Sequence, residues 1–184
     1  MALQYPKALD AHLPAPAYDM TGRMLSSITD FCVHHSDGAA TQTVTDIDRE
    51  HRNLKPYGDA MCGYTWVVDR AGKVWIARPL EVVPAAAWGR NTESVDAALI
   101  GAYEHGTPEY NGPPTAAQLA ALEDLCLWAH RALPSINRTY GHGEIAALFY
   151  GGDPSYATQC PGTDVRAILP AMKWRIAQAL LVKK

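Results

Sequence analysis

Three side chains in this sequence are of the types that hold a catalytic zinc ion. Zinc binds imidazole and thiolate well, and a catalytic site uses three protein ligands while water or substrate takes the fourth position. His34, His142 and Cys160 could supply such a set, and both histidines follow short runs of strand-forming residues. The chain has seven histidines, however, and an isolated histidine is more often an ordinary hydrogen-bonding residue. Spacing alone therefore leaves both interpretations open.

The remaining cysteines have simpler interpretations. Cys126 lies on the apolar side of a helix-period pattern, so we expect a small core residue. Cys32 and Cys62 lie in apolar, strand-like contexts and are expected to be structural thiols, with a disulfide between them as the alternative. Cys160 lies in a loop, residues 158–162, where burial gives no reason for a thiol. Only this cysteine therefore needs a chemical explanation.

The elements that must position these residues can be predicted from apolar spacing and turn signals. Residues 69–72 (Asp-Arg-Ala-Gly) separate two runs of strand formers and predict a β-hairpin, and Thr115 is a good helix N-cap. The predicted strands are residues 28–34, 64–68, 73–77, 96–103 and 138–140. The predicted helices are residues 45–54, 115–133 and 163–182, the last bent near Pro170. We therefore expect an α/β fold with a central mixed β-sheet flanked by helices in a single domain.

The composition favours a folded domain without a polyanionic partner. The 184 residues are 48% hydrophobic and 19% charged, which suits one substantial core. The net charge of -3 predicts no binding to nucleic acid or to an acidic membrane surface. No apolar run is long enough to cross a bilayer, and the first residues lack the charged and then apolar segments of a signal peptide. We therefore expect synthesis in the cytoplasm, and delivery by another agent if the substrate lies outside.

Five short motifs occur in the order that is typical of one enzyme family. They are residues 33–36 (VHHS), the hairpin segment 63–74, Asn91 with Ser94, residues 141–145 (GHGEI) and residues 160–162 (CPG). Through them the chain resembles the type 2 N-acetylmuramoyl-L-alanine amidases, which include phage lysozyme-type endolysins and the animal peptidoglycan recognition proteins. The resemblance implies their fold, with a zinc amidase catalytic domain at residues 26–184 preceded by an N-terminal arm at residues 1–25.

The resemblance also implies roles for individual residues. His34 matches the first zinc ligand of the family, His142 the second and Cys160 the third. Tyr64 matches a tyrosine whose hydroxyl lies near the scissile carbonyl in active members, where a phenol can donate a hydrogen bond to a developing oxyanion. Thr158 matches a position that catalytic members fill with lysine or threonine, and its uncharged hydroxyl is the weaker donor. We therefore expect Tyr64 and Thr158 to be catalytic.

Three further polar residues lie beside the expected site. His35 should point to the opposite face of its strand from His34 and act in packing, because neighbouring residues of a strand alternate between faces. His51 matches a helical histidine of the family and is expected to be a structural hydrogen-bonding residue. Glu144 is either a proton acceptor near the metal or an ordinary hydrogen-bonding group.

Two departures from the family pattern concern the substrate groove. Trp88, Arg90 and Asn91 either line a groove for glycan and peptide or belong to an ordinary surface loop, and a histidine that many members carry just before the Asn91 position is absent. The two later ligands are 18 positions apart, which is longer than in compact phage members. Residues 146–157 therefore form an insertion beside the metal, predicted as a loop with one helical turn that could act as a wall or lid.

The resemblance implies zinc-dependent hydrolysis of the amide bond between N-acetylmuramic acid and L-alanine in bacterial peptidoglycan. We expect a monomeric phage or prophage endolysin with peptidoglycan as its partner and Zn2+ as its cofactor. One alternative is a module that binds peptidoglycan without cutting it, which in this family typically accompanies loss of the cysteine ligand, and Cys160 argues against it. The other is the same activity in an injected antibacterial effector, which the sequence does not separate from an endolysin.

Overall fold

The chain forms a six-stranded β-sheet with helices on both faces. The computed structural model describes residues 3–54 and 59–182. The strands are β1 (Leu9–Asp10), β2 (Asp30–His35), β3 (Trp66–Val68), β4 (Val74–Ile76), β5 (Ser94–Leu99) and β6 (Arg138–Gly141). The helices are α1 (Val44–Asn53), α2 (Ala116–Ala132), α3 (Ile145–Phe149) and α4 (Thr163–Leu181), with 3-10 turns at Leu25–Ser27, His142–Glu144 and Pro154–Tyr156. These elements confirm the expected single-domain α/β fold.

The sheet is mixed, and its central strands are parallel. The strand order is β1-β4-β3-β5-β2-β6, in which only the β3–β4 hairpin is antiparallel. All six residues of β2 and all six of β5 are buried, as expected for strands covered on both faces. The carboxyl ends of β2, β5 and β6 therefore meet at one edge, where ligand sites of open α/β sheets are commonly found.

The two faces of the sheet have different partners. Phe31 and Val33 of β2 face the main core, which α2 and α4 close with apolar side chains such as Leu122 and Leu169. On the other face, α1 packs Val44 and Ile47 over a smaller apolar cluster. Alternation along β2 places residues 30, 32 and 34 on the face opposite α2 and α4.

Most predicted elements are confirmed, with shifted ends. Thr115 caps α2 as expected, since its hydroxyl accepts from the Gln118 amide and the Gln118 side chain accepts from the Thr115 amide. The strand predicted at residues 96–103 instead spans Ser94–Leu99, because β2 and β3 both end opposite Leu99. Cys32 and Cys62 are free buried thiols, so the alternative disulfide between them is wrong.

Two segments are more ordered than the sequence pattern indicated. In the predicted arm, Leu9–Asp10 pairs in parallel with β4 at the edge of the sheet, and Tyr5 is buried in the main core. The insertion at residues 146–157 is predicted as a loop with one helical turn, and it contains two helical segments, the end of α3 and a 3-10 turn. Within the described ranges, no helix combines the length and the apolar character needed to span a membrane.

Candidate functional site

The three predicted zinc ligands lie together at the carboxyl ends of β2 and β6. Nitrogen or sulfur atoms of His34, His142 and Cys160 all lie within 4.8 Å of one another, and His34 Nδ1 is 3.5 Å from Cys160 Sγ. The three side chains converge although 126 positions separate the first from the last. Two imidazoles and one thiol are the donor set of a catalytic zinc site with one position left open. The residues present therefore fit the expected metal.

Strand register and two small residues bring the ligands together. Val33 of β2 pairs with Gly141 of β6, so the next residues lie side by side, with His34 still inside β2 and His142 just past the end of β6. A Cβ atom on Gly141 would lie 2.7 Å from Pro161 Cδ, and one on Gly143 would lie 2.6 Å from the carbonyl oxygen of Thr158. Glycine on both sides of His142 therefore lets the cysteine loop approach, and the Gly143 amide donates to the Cys160 carbonyl at 2.6 Å.

A buried aspartate that the sequence analysis missed orients the first ligand. Asp96 of β5 is fully buried, and its Oδ1 lies 2.8 Å from His34 Nε2. Its Oδ2 accepts a hydrogen bond from the Ser94 hydroxyl at 2.9 Å. With Nε2–H donating to Asp96, the Nδ1 lone pair of His34 faces Cys160, which is the arrangement that metal-binding histidines require. A charged residue within the otherwise apolar run of β5 was the one signal that could have identified it.

Burial and mutual proximity shift the pKa values of the ligands in opposite directions. Burial lowers the pKa of His142 to about 3, and the nearby His34 adds to this effect. For His34 burial also disfavours the charged form, but Cys32, Cys160 and the hydrogen bond to Asp96 raise its pKa well above its ordinary value. His142 is therefore a neutral imidazole, the form that can ligate a metal.

A second possible metal set lies deeper. Cys32, His34 and Asp96 also bring ligand atoms within 4.8 Å of one another, but all three are buried. Burial raises the pKa of the Cys32 thiol to about 12, whereas metals bind the thiolate. The set formed with His142 and Cys160 is partly open to the surface, so it is the better candidate for a catalytic metal site.

Tyr64 lies next to the predicted ligands, and its ring also contacts His51 of α1. Its ring centroid is 5.2 Å from that of His34 and 5.2 Å from that of His51. The Gly63 amide donates to His51 Nδ1 at 2.8 Å, so His51 is a structural hydrogen-bonding residue as predicted. Burial raises the pKa of the Tyr64 hydroxyl, which therefore stays protonated as a donor and reaches the His35 carbonyl at 3.3 Å.

A cleft of about 560 Å³ opens over these residues. Tyr64, His142 and Thr158 line it together with Ala85 and Ala86, and both other ligands also contribute to its wall. The Thr158 hydroxyl accepts from the Cys160 amide at 3.2 Å, so its proton is directed elsewhere. The structure thus brings both predicted catalytic residues to the same cleft as the ligands, while their roles stay predictions.

His35 and Glu144 are engaged in structural contacts. His35 Nδ1 accepts from the Tyr103 amide at 3.2 Å, in agreement with a packing role. Glu144 accepts from the Gly141 amide at 2.7 Å and forms an ion pair with Lys173 at 3.0 Å. Of the two interpretations of Glu144, the geometry favours the hydrogen-bonding group.

The predicted substrate loop is anchored at two of its three named residues. Asn91 Oδ1 accepts hydrogen bonds from the amides of residues 86 and 87. Arg90 donates to the fully buried Asp30 at 2.5 Å, whereas Trp88 is 72% exposed. Arg90 and Asn91 thus shape the loop, and substrate binding by the three residues stays a prediction.

Comparison with known proteins agrees with this geometry. A family profile described as N-acetylmuramoyl-L-alanine amidase matches residues 25–163. No curated protein sequence matches the chain significantly.

Solved structures share the fold at low sequence identity. The amidase LysC from Clostridium intestinale URNW is 19% identical with a TM-score of 0.73, over 94% of this chain and 99% of LysC. Peptidoglycan recognition protein LE, in complex with a monomeric diaminopimelic acid-type peptidoglycan, is 16% identical with a TM-score of 0.71, over 91% and 94%. The Ph2119 endolysin from a Thermus scotoductus MAT2119 bacteriophage is 24% identical with a TM-score of 0.60, over 80% and 83%. Because the family profile covers most of the chain, including all three ligand positions, this protein belongs to the N-acetylmuramoyl-L-alanine amidase family.

Proposed function

We propose that this protein hydrolyses the amide bond between N-acetylmuramic acid and L-alanine in bacterial peptidoglycan, with zinc held by His34, His142 and Cys160. The observation that carries the proposal is the convergence of these three side chains in an open cleft, with Asp96 fixing the tautomer of the first. When bound, zinc would activate a water molecule for attack and polarise the scissile carbonyl.

The other roles in the reaction belong to side chains of the protein. Asp96 holds the Nε2 proton of His34 and so keeps Nδ1 available. Tyr64 donates its hydroxyl hydrogen bond to the oxyanion that develops when the carbonyl is attacked, and Thr158 is a second, weaker donor. His51 fixes the backbone amide next to Tyr64, so this ring is preorganised before substrate binds.

The competing function is recognition of peptidoglycan without hydrolysis. The recognition protein LE was solved with a monomeric peptidoglycan bound, so the same fold also supports binding. The complete set of two histidines and one cysteine favours hydrolysis here. In this proposal the biological role is that of a phage or prophage endolysin that acts on the cell wall as a monomer, with an injected effector as the alternative.

Product analysis tests the activity directly. Purified peptidoglycan is incubated with the protein, and the products are identified by mass spectrometry. We expect intact stem peptides with a free L-alanine amino group and uncut glycan strands. New reducing ends without free peptides would indicate a glycosidase instead, and retained binding without any product would favour the recognition module. A holin gene beside the coding sequence would support lysis, whereas a small immunity-protein gene would support the effector.

A further inference from the structure

The insertion between the second and third ligands packs against the loop that carries Trp88. The Tyr150 hydroxyl donates to the Gly89 carbonyl at 2.7 Å. The rings of Tyr150 and Tyr156 stack on each other, with centroids 3.7 Å apart and planes 6° from parallel. Gly89 has φ +81°, and a Cβ atom there would collide with this ring pair. The insertion therefore holds this loop by direct contact with its backbone.

Arg90, the next residue of the loop, also contacts the insertion. The guanidinium of Arg90 lies 4.3 Å from the ring centroid of Phe149, at the end of α3. The Arg138 guanidinium lies 5.0 Å from the same ring centroid, and both arginines are paired with the buried Asp30. Arg90 also lies 3.9 Å from Glu93, so two carboxylates balance the two cations and fix the loop, which leaves Trp88 as its exposed side chain.

The side chain of Trp88, unlike its neighbours Gly89 and Arg90, is not held by contacts of this kind. It is 72% exposed, and within residues 3–54 and 59–182 its indole forms no hydrogen bond or ring contact. A single exposed aromatic residue is common on protein surfaces, but this one stands on a rigid loop beside the cleft. Ala86, just before this loop, and Thr158, just after the insertion, both line the cleft. Trp88 is two residues from Ala86, and Tyr156 is two residues from Thr158. Each therefore lies at most about 7 Å along the chain from a residue that lines the cleft.

We propose that Trp88, supported by the Tyr150–Tyr156 pair, forms an outer subsite that stacks on the sugar rings of a peptidoglycan glycan strand. The inference rests on the proposed function, because it extends the same cleft away from the metal ligands. A pyranose ring offers a face of C–H bonds that packs on an indole ring. The two arginines nearby are balanced by the carboxylates of Asp30 and Glu93, so a neutral sugar suits this surface better than the carboxylates of a stem peptide. The preferred substrate is then the polymeric glycan strand.

Binding of glycan without peptides tests this subsite independently of hydrolysis. Glycan strands stripped of their stem peptides are titrated into the wild-type chain, Trp88→Ala, Trp88→Phe and Trp174→Ala. Trp174 is the matched control, since it is 65% exposed on α4. We expect Trp88→Ala to bind about tenfold more weakly, Trp88→Phe to recover part of the affinity, and Trp174→Ala to match the wild type. Circular dichroism and thermal unfolding check that the variants fold alike.

Hydrolysis then provides the second readout. Trp88→Ala should lower kcat/KM on intact peptidoglycan by a larger factor than on a single muramoyl-peptide unit, which does not reach the outer subsite, whereas Trp174→Ala should change neither. No measurable glycan binding by the wild type, or equal binding by Trp88→Ala and Trp174→Ala, overturns the subsite. If the wild type binds glycan through Trp88 and releases no stem peptides, the subsite is supported and the hydrolytic function fails.

Discussion

Replacing Asp96 by asparagine should weaken zinc binding while leaving the fold in place. The carboxylate is fully buried and lies 2.8 Å from His34 Nε2. Asparagine has the same shape and keeps an acceptor oxygen, so packing around β5 is retained. It loses the negative charge that makes the imidazole a better ligand. It can also turn its NH2 group toward Nε2, which would favour the tautomer with a proton on Nδ1, the nitrogen that faces Cys160.

The size of the effect follows from these contacts. Loss of such an outer hydrogen-bond partner typically costs about 10- to 100-fold in metal affinity, which corresponds to about 1.4 to 2.8 kcal/mol. Asp96→Ala is less informative, because it leaves the Nε2–H of His34 and the Ser94 hydroxyl without their buried acceptor. Each such orphaned group costs about 1 to 3 kcal/mol of stability, so alanine confounds metal binding with folding.

Competition with a chelator of known affinity measures the zinc dissociation constant of each variant. Thermal unfolding with and without excess zinc gives a second readout, because a ligand stabilises the folded state according to its affinity. Asp30→Asn is the matched control, since Asp30 is equally buried in β2 but contacts Arg90 and Arg138. We expect it to lower stability and leave zinc affinity unchanged. Wild-type zinc affinity in Asp96→Asn, with the fold intact, would refute the positioning role of this carboxylate.

Three further predictions concern the same cleft. Tyr64→Phe should lower turnover on the order of 100-fold with little change in substrate affinity or zinc content, because it removes one donor to the oxyanion; near-normal turnover would reject the catalytic role. Cys160→Ser should lose the zinc that the wild type binds at about one ion per chain, measured by metal analysis, and full zinc with full activity would reject the ligand set. Burial lowers the pKa of His51 to about 4 from its usual 6.5, so the unfolded state binds more protons and stability should fall as pH drops from about 6.5 to about 4. His51 alone should account for a loss of about 3 kcal/mol over this range; denaturation at several pH values should show that the pH dependence of stability shrinks in His51→Asn, and an unchanged pH dependence would contradict it.

The candidate ligands could be proposed because the family resemblance rests on short local motifs that contain them. One is Gly141-His142-Gly143, whose small residues allow the cysteine loop to approach, and another is the loop that carries Cys160. The orienting carboxylate could not be predicted in the same way. Asp96 is 62 positions from His34, and their contact depends on the pairing of β2 with β5, which no local pattern states.

The packing of the insertion likewise could not be predicted from its own sequence. Its glycines and Pro154 indicate a loop, yet Ala146 is buried, and the guanidinium groups of two arginines lie 4.3 and 5.0 Å from the ring centroid of Phe149. Those arginines come from the substrate loop and from β6, so the helix is stabilised by partners that its own sequence does not contain. The same contacts fix the loop that presents Trp88. The candidate site residues could therefore be matched from short motifs, whereas the position of this loop depends on tertiary contacts that no short motif contains.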